Sequence, residues 1–265
     1  MSAEVVSQIN RDYMIRLAEK GGRLDDRSKD QFRQIQIRSG IIDTADGSAW
    51  VNLGSTQVIA GVKMNLGVPY PDHPDKGALS VSAEFIPPPS HQGEANSPRD
   101  DAIELARVVD RGIREGNALD MSQLCITAGE EVWVLFIDLQ IINSDGNLFD
   151  ASMLAAMAAL DNTRMPDSDG NLTEKTLPLV KMPLCATTVK LGHALLVDPT
   201  YQEEAVCDSR LTITLDEDGH VRAMQKGLCG SFTIHEIETM IENSSKSVDH
   251  LRNTLKNASS SQQPS

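Results

Sequence analysis

Asp46-Gly47-Ser48-Ala49-Trp50-Val51-Asn52-Leu53-Gly54-Ser55-Thr56-Gln57-Val58-Ile59-Ala60-Gly61-Val62 is the stretch that decides the fold class. Asp46-Gly47 is a turn signal. Residues 49–53 and 58–62 are short apolar and β-branched runs separated by Gly54-Ser55-Thr56, so they read as antiparallel neighbours. Upstream, Ile35-Gln36-Ile37-Arg38 alternates and adds a third strand to the meander. Before it, Val5, Val6, Ile9, Met14, Ile15 and Leu17 recur among polar residues over 4–19, which predicts an amphipathic helix ended by Gly21-Gly22.

Working downstream, a further strand is expected at 79–86. Pro87-Pro88-Pro89-Ser90-His91-Gln92-Gly93 must be a loop, because it can neither donate a regular ladder nor continue a helix. Ser97-Pro98 then opens a helix through about Glu115, with Leu105, Ala106, Val108, Val109 and Ile113 on its apolar side. Strands are expected next at 124–127 and 132–143, then a turn at Asp145-Gly146-Asn147 and a tightly packed small-residue helix at 153–160. After a polar loop at 167–171, strands recur at 182–190, 193–197, 211–215 and 221–225. A long helix over about 233–256 carries Ile234, Ile237, Met240, Ile241, Val248, Leu251 and Leu255 at three- and four-residue steps. The order, strands then helix, twice, predicts an α+β chain with two similar lobes, about 20–165 and 176–258, in one domain over 1–258. Residues 259–265 read as a disordered polar tail.

Composition narrows the chemistry. The 265 residues are 40% apolar, enough for a large core, and only 4% aromatic. Cys125, Cys185, Cys207 and Cys229 show no metal or redox spacing and read as small buried hydrophobes in a reducing cytoplasm. His73, His91, His193, His220, His235 and His250 show no nucleophile or metal spacing either. With neither a basic-plus-apolar leader nor an apolar run near 20 residues, the chain is expected to be soluble and cytoplasmic, with no membrane partner. A net charge of −14 opposes general binding to phosphate backbones, so any nucleic-acid contact must be local.

Arg23-Leu24-Asp25-Asp26-Arg27-Ser28, then Ile35-Gln36-Ile37, then Asp46-Gly47-Ser48-Ala49-Trp50-Val51-Asn52-Leu53-Gly54-Ser55-Thr56-Gln57-Val58 resembles the N-terminal signature of the RNase PH family. That signature reads Arg-x-Asp-Gly-Arg followed by Gly-Ser-Ala-x-Val-x-x-Gly-x-Thr-x-Val, with Asp26 here in place of the usual glycine, a change expected to relax that turn but not the rest. The resemblance runs on through Ser97-Pro98-Arg99, Ile103-Glu104-Leu105, Asp145-Gly146 and Gly230, nearly the whole chain. It implies an RNase PH-like fold with mixed and antiparallel sheets. Within the family, His73-Pro74-Asp75-Lys76-Gly77, Pro87-Pro88-Pro89-Ser90 and Arg99-Asp100-Asp101-Ala102-Ile103-Glu104 look like the inactive ring subunit of an archaeal exosome. That resemblance implies a hexameric ring of three heterodimers with a catalytic sibling, RNA-binding cap proteins, and 3′ to 5′ degradation of single-stranded RNA. The complex would use inorganic phosphate and magnesium, with no cofactor or metal held by this chain.

Phosphorolysis needs hydroxyls, backbone N–H groups and guanidinium converging on a phosphate. The resemblance implies that active members supply these just after a glycine and before a helix. Here the turn reads Gly146-Asn147-Leu148-Phe149-Asp150. Leu148 cannot bind phosphate, and Asp145 and Asp150 would each repel it by about 1 kcal/mol or more. The family's pair of aspartates is reduced to Cys207-Asp208-Ser209-Arg210, where Asp208 reads better as a structural ion pair than as a catalyst. No catalytic residue is therefore assigned. An active phosphate-dependent 3′-exoribonuclease is the alternative reading, and a small-molecule enzyme on a similar fold is a distant third.

The RNA-binding candidates are Arg99, Arg107, Arg111 and Arg114. On a helix the last three fall within about 60° of one another, opposite Leu105, Val109 and Ile113. Two readings stay open for this row. It is either a grip on the RNA backbone, or an ordinary salt-bridged face in which Glu104 meets Arg107 and Asp110 meets Arg114.

Overall fold

The computed structural model describes residues 3–86, 100–167 and 172–261. Helix α1 (Ala3–Glu19) precedes strands β1 (Ile35–Ser39), β2 (Gly47–Leu53), β3 (Thr56–Gly67) and β4 (Ala78–Phe85). Helix α2 (Asp100–Glu115), a 3₁₀ turn (Met121–Leu124), β5 (Cys125–Thr127) and β6 (Glu131–Asn143) lead to α3 (Leu148–Asp161). A hairpin of β7 (Arg164–Pro166) and β8 (Leu172–Thr176) comes next. It is followed by β9 (Leu184–Leu191), β10 (Ala194–Val197), α4 (Tyr201–Glu204), β11 (Ser209–Leu215), β12 (Val221–Gly227) and α5 (Ile234–Ser261).

The opening stretch forms the expected meander. Trp50 faces Ile59 across the β2–β3 register and Arg38 across the β1–β2 register. Alternation sends Ala49, Val51 and Leu53 of β2 and Val58, Ala60 and Val62 of β3 inward, each fully buried. The Asp46 carboxylate is buried as well. It accepts from the Met64 amide at 2.6 Å and from Lys63 Nζ at 2.6 Å, which fixes where β2 begins. The first sheet runs β1-β2-β3-β6-β4, with β5 also on β6, and β4 lies parallel to β6 at the edge. The second sheet runs β10-β9-β11-β12, all antiparallel.

Helix α3 packs against both sheets, and Phe149 through Leu160 are all buried. A helix apolar on every side has to be enclosed, and its alanines let the strands come close. At one such approach, a side chain on Gly47 would put its Cβ 2.6 Å from the Ala159 carbonyl. Helix α2 crosses β4, α3 and β12, and α5 covers β9, β11 and β1. Helix α1 closes a separate small cluster on β9 and β10, where Met14 and Ala18 meet Val189, Leu191, Ala194 and Leu196.

Four expectations need correcting. Leu148, Phe149 and Asp150 belong to the first turn of α3 and not to the loop, because Gly146 (φ 81°) and Asn147 (φ 55°) both take left-handed conformations and make the corner between them. Asp26, in the position where the family carries glycine, does not relax its turn. It keeps φ at 61°, a conformation that Asp tolerates better than most residues. The β7–β8 hairpin and α4 have no counterpart among the elements expected from local pattern. Finally, α5 runs past residue 258 to Ser261, since Ala258 packs on the core and Ser259 Oγ donates to Asp161 at 2.8 Å. The 87–93 loop, the Ser97-Pro98 helix start, Arg99, residues 168–171 and residues 262–265 lie outside the described residues.

Candidate nucleic-acid interface

The turn before α3 is filled by the protein's own charges. Asp150 is buried, and its carboxylate accepts from Asn147 Nδ2 at 2.8 Å, the Thr187 amide at 2.9 Å, Thr187 Oγ1 at 2.8 Å and Cys185 Sγ at 3.3 Å. Burial pushes this carboxyl up to about 7, against the pull of those hydrogen bonds. The same Asn147 amide donates to Asp198 Oδ1 at 2.7 Å, so one side chain joins two buried carboxylates. Asp198 also accepts from Arg27 Nη1 at 2.8 Å and Arg33 Nη2 at 2.8 Å. Arg33 goes on to the Asp145 carbonyl at 2.6 Å and the Gly146 carbonyl at 3.2 Å.

Part of the turn's backbone is committed as well. Thr56 Oγ1 donates to the Gly146 carbonyl at 2.7 Å, and the Asn147 amide donates to Glu204 Oε1 at 3.0 Å. Gly146 is pressed so closely on 199–201 that a Cβ would lie 2.6 Å from the Pro199 carbonyl. Arg23 completes the network with a two-pronged pair to Glu203 at 2.9 and 2.5 Å and a bond to the Asp198 carbonyl at 2.8 Å. The arginines near the N-terminus therefore bind protein carboxylates and backbone carbonyls, and the side-chain donors Arg33, Thr56 and Asn147 around this turn are engaged within the protein.

The outer face of α2 is the opposite case. Arg107, Arg111 and Arg114 are exposed, while Ala102, Leu105, Ala106, Val109, Gly112 and Ile113 are buried beneath them. Arg114 pairs with Asp110 at 2.8 Å and donates to the Leu79 carbonyl of β4 at 3.2 Å. The expected Glu104–Arg107 pair does not form, because Glu104 is drawn to Arg210 at 3.3 Å and Gln225 Nε2 at 3.2 Å. Arg107 and Arg111 have no acidic partner among the described residues, and Arg111 stands over a shallow groove beside Thr212, Met224 and Gln225 of the second sheet. The row thus crosses the seam between the two sheets.

The model of the 3′ exoribonuclease family matches this chain over residues 31–166 for its domain 1 and 181–247 for its domain 2. The chain belongs to this family. The Exosome complex component Rrp42 of Thermococcus gammatolerans is 45% identical over 261 residues, covering 95% of this chain and 96% of the relative. Among solved structures, an Archaeoglobus fulgidus exosome with RNA bound to the active site matches with a TM-score of 0.88 at 44% identity. That alignment covers 94% of this chain and 98% of the other. An archaeal exosome core matches with a TM-score of 0.87 at 42% identity, covering 97% and 100%. The fold is the RNase PH-like fold of these cores.

The Asp208 carboxylate takes Arg11 of α1 at 2.6 Å and the Gly192 amide at 2.9 Å. Arg210 is mostly buried, 4.4 Å over the Phe149 ring, and ties β11 to α2 and α3. Among the described residues, Asp216, Asp218 and His220 do cluster. Lys181 already reaches Asp216 at 2.9 Å and Asp218 at 2.5 Å, and Arg222 adds a contact to Asp216 at 2.5 Å. Burial alone would raise Asp216, but those cations hold it well below the usual carboxylate range. Burial also raises the Cys185 thiol and pushes Cys207 up to about 12. Of the four cysteines expected to be buried only Cys185 is, with Cys125 and Cys207 half-buried and Cys229 exposed.

Sequence reasoning missed Asp198, Thr187 and Glu203. Thr200-x-x-Glu203 is a capping box, formed here with both reciprocal bonds, and its spacing could have revealed α4 and the acid behind Arg23. Nothing in the local sequence marks Thr187, which is brought under Asp150 only by the pairing of β9 with β11. No described helix is long and apolar enough to cross a membrane.

Proposed function

We propose that this chain is a non-catalytic ring subunit of an exosome, holding single-stranded RNA on the α2 arginine row while a catalytic sibling of the same family cuts. The observation that carries this reading is the closed turn before α3. A phosphate dianion placed there would meet two buried carboxylates, Asp150 and Asp198, whose hydrogen-bond donors are already engaged.

The similarity to RNA-bound and core exosomes over nearly the whole chain supports a place in a cytoplasmic hexameric ring of three heterodimers with RNA-binding caps. Inorganic phosphate and magnesium then act at the sibling's site. Arg107 and Arg111, exposed and without acids, supply the local positive charge that an acidic protein of net charge −14 needs to hold RNA.

The test is direct. Incubated with labelled single-stranded RNA, phosphate and Mg²⁺, this chain alone releases no nucleoside diphosphates, whereas the complex with its sibling does. Robust phosphate-dependent release by the isolated chain would overturn the assignment.

A further inference from the structure

The arginine row ends at the connection between β3 and β4. That connection, residues 68–77, is exposed over 70–76 yet pinned by its backbone. The His73 amide donates to the Tyr70 carbonyl at 3.0 Å, the Gly129 amide to the Pro74 carbonyl at 2.8 Å, and the Gly77 amide to the Met121 carbonyl at 2.8 Å. Pro69 is buried, and a Cβ on Gly77 would lie 2.8 Å from the Trp133 carbonyl, so both ends of the loop press on the sheet. Tyr70 is held within this frame with 57% of its surface exposed.

Arg114 reaches the same place from the other side. Its hydrogen bond to the Leu79 carbonyl sets the guanidinium at the foot of the loop. The hydrogen bond with Asp110 raises the Arg114 guanidinium above its usual range and keeps it charged. All three tyrosines are exposed, and Tyr70 is the one set on a loop whose far end meets the arginine row through Arg114 and the Leu79 carbonyl. Its place is not explained by the core, since Tyr70 packs in neither hydrophobic cluster.

We propose that Tyr70 is a base-stacking residue of the RNA path, with an unpaired base on the phenol ring and the adjoining phosphates on Arg114 and Arg111. This rests on the arginine row being the RNA grip, and it adds what the row cannot supply. Guanidinium groups on phosphates hold any polyanion, whereas a ring that needs an exposed base face selects single strands over duplex. Every base has such a face, so the preference is for strandedness and not for sequence. A two-torsion side chain on a pinned loop also loses little freedom when a base settles on it.

The experiment uses the assembled complex without phosphate or Mg²⁺, as wild type, Tyr70→Ala and Tyr70→Phe. Affinity is measured against oligouridylate, an abasic ribose-phosphate oligomer of equal length, and an RNA duplex. Tyr70→Ala weakens oligouridylate binding by about 5- to 100-fold, leaves the abasic oligomer and the salt slope unchanged, and narrows the gap between single strand and duplex. Tyr70→Phe stays within about twofold of wild type, because stacking needs the ring and not the hydroxyl. Unchanged oligouridylate binding by Tyr70→Ala, or an equal loss on the abasic oligomer, overturns the proposal. The row is read separately: if wild type fails to bind the abasic oligomer in a salt-dependent way, the arginine grip fails whatever Tyr70 does.

Discussion

The turn before α3 and the outer face of α2 are both rich in charge, and they differ in what each charge meets. In the turn, Asp150 and Asp198 are buried, and Arg27, Arg33, Asn147 and Thr187 saturate them. On α2, Arg107 and Arg111 face solvent with no acid among the described residues. A buried network whose carboxylates are each held by several donors resists change, while exposed unpaired cations contribute little to stability and remain free to bind. The comparison separates a region that has become part of the scaffold from one that has stayed a surface.

The largest test of that contrast is Asp198→Ala, which removes the buried carboxylate shared by Arg27 and Arg33 and leaves Arg27 only Asp25 as an acidic partner among the described residues. It should lower the unfolding free energy by about 3–5 kcal/mol or more, read from the urea midpoint. A loss under about 1 kcal/mol would mean the network is not structural.

Next comes the pH dependence of Asp150. Its folded pKa is raised, so the folded state holds a proton that the unfolded chain releases near pH 4. Stability associated with this group therefore falls as pH rises from about 4 to about 7, by on the order of 4 kcal/mol. Wild type minus Asp150→Asn in thermal or urea unfolding should show that decline, and a flat difference across the window would remove the burial argument.

On α2, Arg107→Ala and Arg111→Ala should each flatten the slope of log K against log salt for single-stranded RNA by about 0.7. Arg114→Ala should do less, because Asp110 already offsets its charge. Replacing all three should move the unfolding free energy by no more than about 0.5 kcal/mol per site. If affinity and slope stay at wild-type values with the complex assembled, the row is only a solvated face. The smallest effect belongs to Asp208→Ala, whose half-exposed pair with Arg11 contributes roughly 0–1 kcal/mol. Turnover of the assembled complex should hardly change. A 100-fold loss, about 2.7 kcal/mol, would make Asp208 catalytic after all.

Much of the fold was legible because its signals are local. The period-two runs of β2 and β3 and the apolar stripes of α2 and α5 state which face turns inward, and the structure buries those faces except at the start of α5, where Ile234 is exposed. The charge row on α2 was legible for the same reason, since its spacing depends on one helix. Its partners were not. Glu104 is claimed by Arg210 from 106 residues away, a choice made by tertiary packing and invisible to helical spacing. The closed turn was half legible. Leu148 and Asp150 announced that phosphate is unwelcome, but Asp198 and Thr187 lie 51 and 37 residues from the side chains they bind. Only the second sheet brings them there.

Enclosing α3 between the two sheets also constrains how the chain folds. Its twelve buried residues from Phe149 to Leu160 have no face to show to water, so the helix cannot be stable until strands from both halves are in place. Either half expressed alone would leave α3 half uncovered or leave a sheet without its filling, and would expose a continuous apolar surface prone to aggregation. The two halves should therefore unfold together in a single cooperative transition, and a nick in the connection between them should leave both pieces bound to each other.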